Sequence, residues 1–494
     1  MTGDIPDITC KRAALAPAGI AFEEPGTGRT ITYAELDARA ARAASLLHAR
    51  GIREGDRVAI LCRNRVEFFE ILFGCAKLGA ILVPLNWRMP PAELDLLIAD
   101  AEPSLILCGA EDAAAAARLT GAVPRLGLDD EYPALLAAAA PGRFRTSWPA
   151  GGTWYLLYTS GTTGRPKGVV YTFRMSLSNY VSLAAAIGLR SGDATASFLP
   201  LFHTAGINLH ALPTLIAGGR VLMLPAFDAD AVVALLDRRR LDAFFAVPTV
   251  YQALLDHPGF ASAPLDHVRH WGCGGAPLPD SVVHRCRDLG IRICNGMGMT
   301  ETGPTAFLLD PADAWERIGS VGKPQLLCSA RIVDAGGRDV VKGEVGDLQF
   351  AGPGITPGYW RNEEANRACF SEDGWLRSGD LARRDGDGYY YVAGRRKEMF
   401  ISGGENVYPA EVENVLCAHP AVIDVAVLGR PDPRWGEVGK AFVQIAPQAP
   451  RPPEDELRAF CRQRLAPYKV PVSFAFVADF PRTSAGKIQK HLLA

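Results

Sequence analysis

The chain has 494 residues, of which 48% are hydrophobic, and a formal net charge of −2 at pH 7. This length predicts more than one domain and a large apolar core. The small net charge argues against bulk attraction to nucleic acid or an anionic membrane, and no apolar run reaches transmembrane length. Because the N-terminus also lacks the apolar segment of a signal peptide, we expect a cytoplasmic protein with no nucleic-acid partner and no membrane span.

Eleven cysteines are scattered along the chain. No two of them have the Cys-x-x-Cys spacing that is typical of zinc sites and redox motifs. Several lie in apolar runs, such as Ile60-Leu61-Cys62. We therefore interpret the cysteines as small core residues in a reducing compartment, and not as a disulfide framework.

The N-terminal part alternates helical patterns with short apolar runs. Helical spacing of apolar residues occurs in residues 33–47, 67–78 and 92–100, and strand-like runs occur in 57–61, 81–83 and 105–107. This alternation predicts βαβ units and a largely parallel sheet. Residues 109–150 are rich in alanine, and we expect peripheral helix and loop there.

Residues 158–168 read Tyr-Thr-Ser-Gly-Thr-Thr-Gly-Arg-Pro-Lys-Gly and follow an apolar run that predicts a buried strand. Glycines let backbone N–H groups converge on an anion, and Lys167 adds a point charge suited to phosphate. The Gly-Lys-Ser/Thr sequence of a Walker A loop is absent. The residues that we assign to phosphate binding are Thr159, Ser160, Gly161, Thr162, Thr163, Gly164 and Lys167.

A second alternation of strands and helices covers residues 176–300, and the pattern changes from about residue 317. Short strands between Gly-, Asp- and Pro-rich turns there predict a small β-rich subdomain. Asp385-Gly386-Asp387-Gly388 lacks the later carboxylates of a calcium loop, and we interpret it as a hairpin turn. After Lys397, helical and strand-like segments alternate again and predict a small domain of about a hundred residues.

The order of five motifs resembles that of the adenylate-forming (AMP-binding) enzymes, in the branch of fatty-acid, 4-coumarate and feruloyl-CoA ligases. The motifs are the phosphate loop, Met299-Thr300-Glu301, Ser378-Gly379-Asp380, Gly394-Arg395-Arg396-Lys397 and Pro481-Arg482-Thr483-Ser484-Ala485-Gly486-Lys487.

The resemblance covers almost the whole chain and implies an α/β fold with two domains. The large N-terminal domain, residues 1–396, would consist of parallel-sheet α/β layers and the β-rich subdomain at about 317–396. A small, mobile α+β C-terminal domain, residues 397–494, would hinge at Lys397, with the active site between the two domains.

The resemblance also implies how ATP and Mg²⁺ would be bound. Glu301 and Thr159 would be metal ligands, because Mg²⁺ takes few protein oxygens beside phosphate oxygens, and Thr300 would bind the α-phosphate. Asp380 would accept both ribose hydroxyls, since a carboxylate has two oxygens, and Arg395 would bind ribose or phosphate. The remaining nucleotide-binding positions would be Gly275, Ala276, Asn295, Gly296 and Met297.

Further implied roles concern the reaction itself. Lys487 would stabilise the charge that develops as the substrate carboxylate attacks the α-phosphate, and His203 would act as a gate or position that carboxylate. The loop with Gly403 and Gly404 would border the pantetheine arm of CoA, with Trp435 nearby. The chain departs from the family at Met297, where tyrosine is usual, and at Lys397, where many relatives have aspartate.

The implied activity is that of an ATP-dependent carboxylic acid:CoA ligase, in which acyl-AMP and pyrophosphate form first and acyl-CoA and AMP second. A carrier-protein-loading enzyme is one alternative, although residues 201–209 contain no acid to pair an amino-acid ammonium group. A catalytically weak nucleotide-binding homologue is another, and a homodimer is left open. Small, mostly uncharged pocket positions suit an aryl, arylpropenoic or medium-chain acid: His203, Gly206, Asn208, Val247, Gly274, Gly275, Ala276, Met297, Pro304 and Thr305.

Overall fold

The computed structural model describes residues 3–159, 166–447, 449–482 and 487–493. The helices up to residue 159 are α1 (Ile8–Leu15), α2 (Tyr33–Ala49), α3 (Val66–Leu78), α4 (Pro91–Ala101), α5 (Ala113–Ala117) and α6 (Glu131–Ala138). The strands of the same part are β1 (Asp4–Pro6), β2 (Ile20–Glu24), β3 (Arg29–Thr32), β4 (Arg57–Leu61), β5 (Ile81–Pro84), β6 (Leu105–Cys108), β7 (Arg125–Gly127), β8 (Ser147–Pro149) and β9 (Thr153–Thr159).

The middle part continues the alternation of strands and helices. Its strands are β10 (Lys167–Thr172), β11 (Ala194–Ser197), β12 (Arg220–Met223), β13 (Ala243–Ala246), β14 (His270–Cys273), β15 (Ile293–Met297), β16 (Phe307–Leu308) and β17 (Lys323–Pro324). Its helices are α7 (Phe173–Ile187), α8 (Ala211–Ala217), α9 (Ala229–Asp237), α10 (Pro248–Asp256) and α11 (Asp280–Asp288).

Two mixed sheets form the large unit. Among the described residues, the first has the strand order β10-β9-β5-β4-β6-β7 and the second the order β17-β16-β15-β14-β13-β11-β12-β2-β3. The central strands of both are parallel, as the βαβ pattern predicts. Antiparallel neighbours occur at the edges, where short connections join β2 to β3 and β15 to β16.

Residues 109–150 contain more strand than we expected from their composition. Strand β7 joins the edge of the first sheet beside β6, and β8 pairs antiparallel with β1. Both strands are only three residues long. They are too short to show a periodic pattern in the sequence.

The β-rich subdomain and the C-terminal unit follow in chain order. The former is an antiparallel sheet of β18 (Ser329–Val333), β19 (Gly346–Ala351), β20 (Leu376–Arg384) and β21 (Tyr390–Arg395), with helix α12 (Glu363–Cys369). The latter comprises β22 (Phe400–Ser402), β23 (Glu405–Val407), α13 (Pro409–Cys417), β24 (Val422–Asp432), β25 (Gly436–Ile445), α14 (Glu454–Arg462) and β26 (Ser473–Val477). Asp385–Gly388 form the hairpin turn between β20 and β21, as predicted.

The carboxyl ends of the parallel strands place the candidate residues on one side of the large unit. Strand β9 ends at Thr159, β13 leads into Val247, β14 into Gly274 and β15 into the turn of Glu301. Ligands of open α/β sheets bind outside these carboxyl ends. The fold therefore brings the motifs together although they are far apart in sequence.

Two further expectations concern the chain as a whole. All eleven cysteines are free, and seven of them are buried, as expected for core residues. Within the described ranges, no helix has the length and apolar character needed to cross a membrane.

Candidate active site

The carboxylate of Glu301 lies in a single 3₁₀ turn, Thr300–Thr302, directly after β15. The Thr302 hydroxyl closes the turn, because it accepts the N–H of Met299 at 2.9 Å and donates to the carbonyl of Pro304 at 2.9 Å. Glu301 is buried, and its Oε1 accepts a hydrogen bond of 2.8 Å from the Tyr359 hydroxyl. The carboxylate is thus held in one orientation.

Tyr359 is a residue that the sequence analysis missed. Its ring also faces Lys167, whose Nζ lies 5.3 Å from the ring centroid. Lys167 begins strand β10 opposite Thr159 in β9. One aromatic side chain therefore links the phosphate-loop lysine to the predicted metal ligand, a contact that no local pattern in the sequence indicates.

Only the two ends of the phosphate loop belong to the described residues. Thr159 and Lys167 are placed as neighbours, and the Thr159 hydroxyl donates to the Lys167 carbonyl at 3.5 Å. The five loop positions assigned between them lie outside the described residues, namely Ser160, Gly161, Thr162, Thr163 and Gly164.

Asp380 and Arg395 face each other on the neighbouring strands β20 and β21. Arg395 Nε lies 2.8 Å from Asp380 Oδ1, and its Nη1 donates to the carbonyl of Ser378 at 3.1 Å. Burial raises the pKa of Asp380, and the charges of Arg395 and Lys487 oppose that shift. Asp380 and Arg395, both predicted to bind the ribose side of ATP, therefore form an ion pair.

Lys487 comes from the C-terminal unit and is placed beside this group. Desolvation and the charge of Arg395 lower the pKa of Lys487, while the carboxylates of Asp380, Glu301 and Glu398 oppose the shift. The structure thus brings one cation from the C-terminal segment to the carboxylates on β20 and after β15. Of the same motif, Thr483, Ser484, Ala485 and Gly486 lie outside the described residues.

His203 lies in the loop after β11, which the Asn64 side chain holds to the first sheet. Asn64 Nδ2 donates to the Leu199 carbonyl at 2.8 Å, and its Oδ1 accepts the Leu201 N–H at 3.2 Å. Burial, together with the positive charges of Arg88 and Lys487, lowers the pKa of His203 to about 4. The imidazole is therefore neutral at neutral pH and can accept or donate a hydrogen bond.

A chain of ring contacts surrounds His203 and was not predicted. Its ring centroid lies 4.6 Å from that of Phe202, and Phe202 lies 5.9 Å from Trp87. The guanidinium groups of Arg63 and Arg88 lie 3.4 and 4.6 Å from the Trp87 centroid. These contacts keep two cations near the predicted acid-binding side.

The predicted nucleotide-binding positions lie at the ends of β14 and β15. Gly275 has a φ of +84°, and a Cβ there would approach Val247 Cγ1 to 3.5 Å. Asn295 donates to the Ser320 carbonyl at 3.0 Å, and Met297 packs against the apolar cluster around Phe307. Ala276 and Gly296 occupy the same two strand ends, between these residues.

Asn208, one of the predicted pocket positions, makes hydrogen bonds within the protein. It is fully buried, accepts a hydrogen bond of 2.8 Å from the Tyr155 hydroxyl and donates one of 3.2 Å to the Thr204 hydroxyl. Asn208 therefore stabilises the turn after His203, and its contact with the acid stays a prediction.

The predicted CoA residues lie on the C-terminal sheet. Gly403 and Gly404 form the two-residue turn between β22 and β23, with φ values of +62° and +89°. The Gly403 N–H donates to the Trp435 carbonyl at 2.8 Å, and Trp435 is 48% exposed. Lys397 is exposed in the connection between β21 and β22.

The site fits Mg²⁺ better than a metal that needs several protein ligands. Within the described ranges, no three His, Cys, Asp or Glu side chains are grouped to hold an ion. Mg²⁺ is usually bound by one or two carboxylates, with phosphate and water oxygens completing its shell. Glu301 beside Lys167 is consistent with that arrangement.

Comparison with known proteins identifies the same two units. A model described as "AMP-binding enzyme" matches residues 9–360, and one described as "AMP-binding enzyme C-terminal domain" matches residues 411–487. A feruloyl-CoA synthase of an Amycolatopsis species is 43% identical over 489 residues, which cover 97% of this chain and 96% of the relative.

Two further proteins extend the comparison. An indoleacetate–CoA ligase of Aromatoleum aromaticum is 36% identical over 492 residues, covering 97% of this chain and 95% of the relative. The solved structure of o-succinylbenzoate coenzyme A synthetase from Bacillus subtilis, in complex with ATP and magnesium ion, has a TM-score of 0.89 at 32% identity. That comparison covers 99% of each chain.

Proposed function

This chain belongs to the family of AMP-binding enzymes, and on that premise we propose which of its residues perform the reaction and which acid it activates. It is an adenylate-forming CoA ligase, and its cofactors and substrates are ATP, Mg²⁺, CoA and a small carboxylic acid. The fold class and the family that the motifs indicated are thereby confirmed.

The observation that supports our assignment is the convergence of Lys487 with Asp380, Arg395 and Glu301. Asp380 binds the ribose hydroxyls, and Arg395 holds that carboxylate in place while its remaining N–H groups face the phosphates. Lys487 offsets the repulsion between the acid's carboxylate and the α-phosphate, which is greatest in the transition state. Thr300, in the same turn as Glu301, donates to the α-phosphate.

Glu301, with Thr159 as a second ligand, would hold Mg²⁺, which would neutralise negative charge on the pyrophosphate group. Tyr359 orients the Glu301 carboxylate through its hydroxyl. Lys167 and the phosphate loop hold the β- and γ-phosphates. Neutral His203 accepts no proton in this scheme and positions the acid beside Lys487, because its low pKa makes it a poor base.

We propose that the acid is aromatic, of the hydroxycinnamate or benzoate type, rather than a medium-chain fatty acid. Two relatives with nearly full coverage are named for aromatic acids, feruloyl and indoleacetate. The strand ends near the loop of His203 have glycine at positions 272, 274 and 275, and the Phe245 ring packs so closely on Gly272 that a Cβ there would lie 2.8 Å from its Cδ2. Phe245 also lines the cavity beside this loop, and an aromatic surface favours an aromatic ring as its neighbour.

The second half-reaction needs a different arrangement of the two domains. We propose that residues 397–494 rotate about Lys397 relative to residues 1–396, a hinge movement of a known type. Gly403 and Gly404 then border the pantetheine arm, and exposed Trp435 offers a ring near CoA. Since ATP and CoA are available in the cytoplasm, we place the enzyme there, with a homodimer as the oligomeric state to be examined by light scattering.

The test is release of pyrophosphate and AMP with a panel of acids, with and without CoA. Hydroxycinnamates, benzoates and medium-chain fatty acids are compared, and we expect the highest kcat/KM for an arylpropenoate. Lys487→Ala is expected to reduce acyl-AMP formation at least 100-fold while largely sparing thioester formation from supplied acyl-AMP. The exposed Lys342→Ala is the matched control.

Equal loss of both half-reactions in Lys487→Ala would contradict the assigned role. Failure of every acid in the panel to release pyrophosphate would contradict the proposed reaction. Preference for a fatty acid would contradict only the proposed acid class.

A further inference from the structure

Three buried polar side chains lie beyond His203 with one ring nitrogen or hydroxyl each that has no hydrogen-bond partner among the described residues. The atoms are Ser197 Oγ, His210 Nδ1 and His270 Nδ1. The residues are 5%, 7% and 3% exposed, respectively. Leaving a buried polar atom without a partner is unfavourable, so these three atoms indicate a place where a polar group can bind.

Ser197 and His210 lie on two elements that pack against each other, strand β11 and the start of helix α8. Ser197 ends β11, and Thr195 on the same face of that strand contacts the Thr214 hydroxyl at 2.9 Å. Thr214 lies one turn after His210, at the start of α8. Strand β11 therefore presents Ser197 to the side of the helix from which His210 projects.

His270 lies close to His210 and belongs to the same nine-stranded sheet as Ser197, in which only β13 separates β14 from β11. It lies on β14, and a Cβ at Gly272 on the same face would come within 3.1 Å of His270 Nε2. Burial lowers the pKa of His210 to about 3, with a further contribution from His270, and burial lowers the pKa of His270 to about 4. Both imidazoles are therefore neutral across the physiological range.

Ser197 and His210 line a small cavity next to the loop of His203. Its other walls include Leu199, Gly206 and Phe245, and about 10 Å³ is available to the centre of a water-sized group. That is room for about one water molecule or one hydroxyl group. The Gly206 N–H donates to the His203 carbonyl at 3.1 Å, so the cavity adjoins the predicted acid site.

The distance from His203 matches an extended aromatic acid. His210 is seven residues further along a nearly continuous helical segment, whose first part is the π-helical turn Ala205–Leu209. At about 1.5 Å per residue this separation is on the order of 10 Å, which is close to the length of a hydroxyphenylpropenoic acid. Phe245 lies along this path, and its ring tip would be 3.4 Å from a Cβ at Gly274.

We propose that Ser197 and His210 bind a hydroxyl group at the end of the acid remote from its carboxylate. The proposal rests on the proposed function and makes it more specific: the acid is a hydroxyaryl acid. A neutral hydroxyl can donate to a ring nitrogen and accept from Ser197 at once. A second carboxylate is disfavoured, because neither neutral imidazole supplies a charge to compensate its burial.

The size of the effect follows from what replaces the hydroxyl. A site that binds a substrate hydroxyl can reject the analogue without it very strongly, because buried groups lose their partner. Here the cavity can retain a water molecule when the hydroxyl is missing. We therefore expect a moderate preference, about 10- to 100-fold in kcat/KM, for 4-hydroxycinnamate over cinnamate.

The test measures acyl-AMP formation from 4-hydroxycinnamate and from cinnamate, the latter differing only in lacking the ring hydroxyl. Ser197→Ala and His210→Leu are each expected to reduce the kcat/KM ratio of these acids at least tenfold. His257→Leu, at the surface where His257 pairs with Asp230, is the matched control and should leave the ratio unchanged.

The outcomes separate this inference from the proposed function. If the wild-type enzyme uses both acids with equal kcat/KM, or if the ratio is the same in Ser197→Ala, the hydroxyl site is refuted while the ligase assignment stands. If neither acid nor any other in the panel is adenylated, the proposed function itself fails. If the His210→Leu variant does not fold, the kcat/KM ratios of the wild-type enzyme and of Ser197→Ala still test the hydroxyl site.

Discussion

At the scale of single residues, the hydrogen bond from Tyr359 to Glu301 is the feature with the clearest consequence. A carboxylate that binds Mg²⁺ must keep one orientation, and residues around the ligands set it. Tyr359 provides that constraint with a 2.8 Å bond and also faces Lys167. Loss of the Tyr359 hydroxyl should therefore reduce activity by weakening the binding of Mg²⁺ to Glu301.

We expect Glu301→Gln to weaken the apparent Mg²⁺ affinity at least 100-fold, because the amide is neutral and a poor ligand for a hard cation. Tyr359→Phe keeps the negative charge of Glu301 and removes only the hydrogen bond that orients its carboxylate. We therefore expect a smaller loss of Mg²⁺ affinity, about 10-fold. The measurement is the rate of pyrophosphate release as a function of Mg²⁺ concentration.

Glu363→Gln, at an exposed position on α12, is the control for the loss of a carboxylate. An unchanged Mg²⁺ dependence in Glu301→Gln would show that this residue is not a metal ligand. A Tyr359→Phe enzyme with a lower kcat but the same Mg²⁺ dependence would show that the tyrosine acts on the phosphates instead.

Single residues also show the limits of sequence reasoning. Glu301, Asp380 and Arg395 were predicted, because each is part of a short motif with a recognisable order. Tyr359 and Ser197 were not, since their partners are distant in sequence and only the fold brings them together. The hydrogen bonds of Asn208 with Tyr155 and Thr204 were not predicted either, because the side of a helix that faces the interior cannot be read from a single turn.

At the scale of elements, the C-terminal segment that bears Lys487 is fixed on both sides by ion pairs. Arg482 Nη2 lies 2.6 Å from Asp424 Oδ2, and Arg482 and Ile488 form an antiparallel bridge. Lys490 Nζ lies 2.8 Å from Glu413 on α13 and 2.6 Å from Glu398 beside the predicted hinge. Desolvation lowers the pKa of Lys490, but the two carboxylates outweigh it and the pKa is raised.

We expect Lys490→Met to reduce acyl-AMP formation about 10- to 100-fold, because small displacements of a catalytic group are costly. It should also reduce the free energy of unfolding by on the order of 2 kcal/mol, since Glu413 is left without its cation. Stopped assays of each half-reaction and urea denaturation measure the two effects.

The matched control is Lys342→Met, which removes an exposed lysine. If Lys490 acts by positioning Lys487, thioester formation from supplied acyl-AMP should decrease much less than acyl-AMP formation. A parallel decrease of both half-reactions would indicate general destabilisation of the C-terminal unit and contradict the positioning role.

Elements were predicted best where a pattern was long. Helix α3 was expected at 67–78 and extends over Val66–Leu78, and the strand expected at 105–107 is β6, Leu105–Cys108. Strand β24 continues to Asp432, beyond its apolar part, because it pairs with β25 over its whole length. Such polar extensions depend on a partner strand and not on local sequence.

At the scale of the whole molecule, the structure shows Lys487 beside Asp380 and Glu301, while Gly403, next to Gly404, contacts Trp435 on the C-terminal sheet. Both sets of residues belong to one reaction but serve different half-reactions in our proposal. A single fixed arrangement of the two domains would bring only one of these sets of residues to the reacting groups. In our proposal, the arrangement described here is the one in which acyl-AMP forms.

Gly404 has a φ of +89°, and no atom of the described residues lies within 4 Å of the position that a Cβ would take. A leucine there has room in the present arrangement, but it would project towards CoA after rotation. We expect Gly404→Leu to slow thioester formation from supplied acyl-AMP at least tenfold more than it slows acyl-AMP formation. Rapid-quench measurements of each half-reaction would determine the two rates.

The control must reproduce the backbone strain without the proposed contact. Gly337 has a φ of +78°, and a Cβ there would likewise have no atom of the described part of the chain within 4 Å. It lies in a turn of the β-rich subdomain after β18. A leucine at either position pays a similar cost for a left-handed backbone, about 1–2 kcal/mol. Gly337→Leu should therefore match Gly404→Leu in stability but slow neither half-reaction selectively. An equal effect of Gly404→Leu on both half-reactions would place the turn outside the CoA path and argue against the rotation.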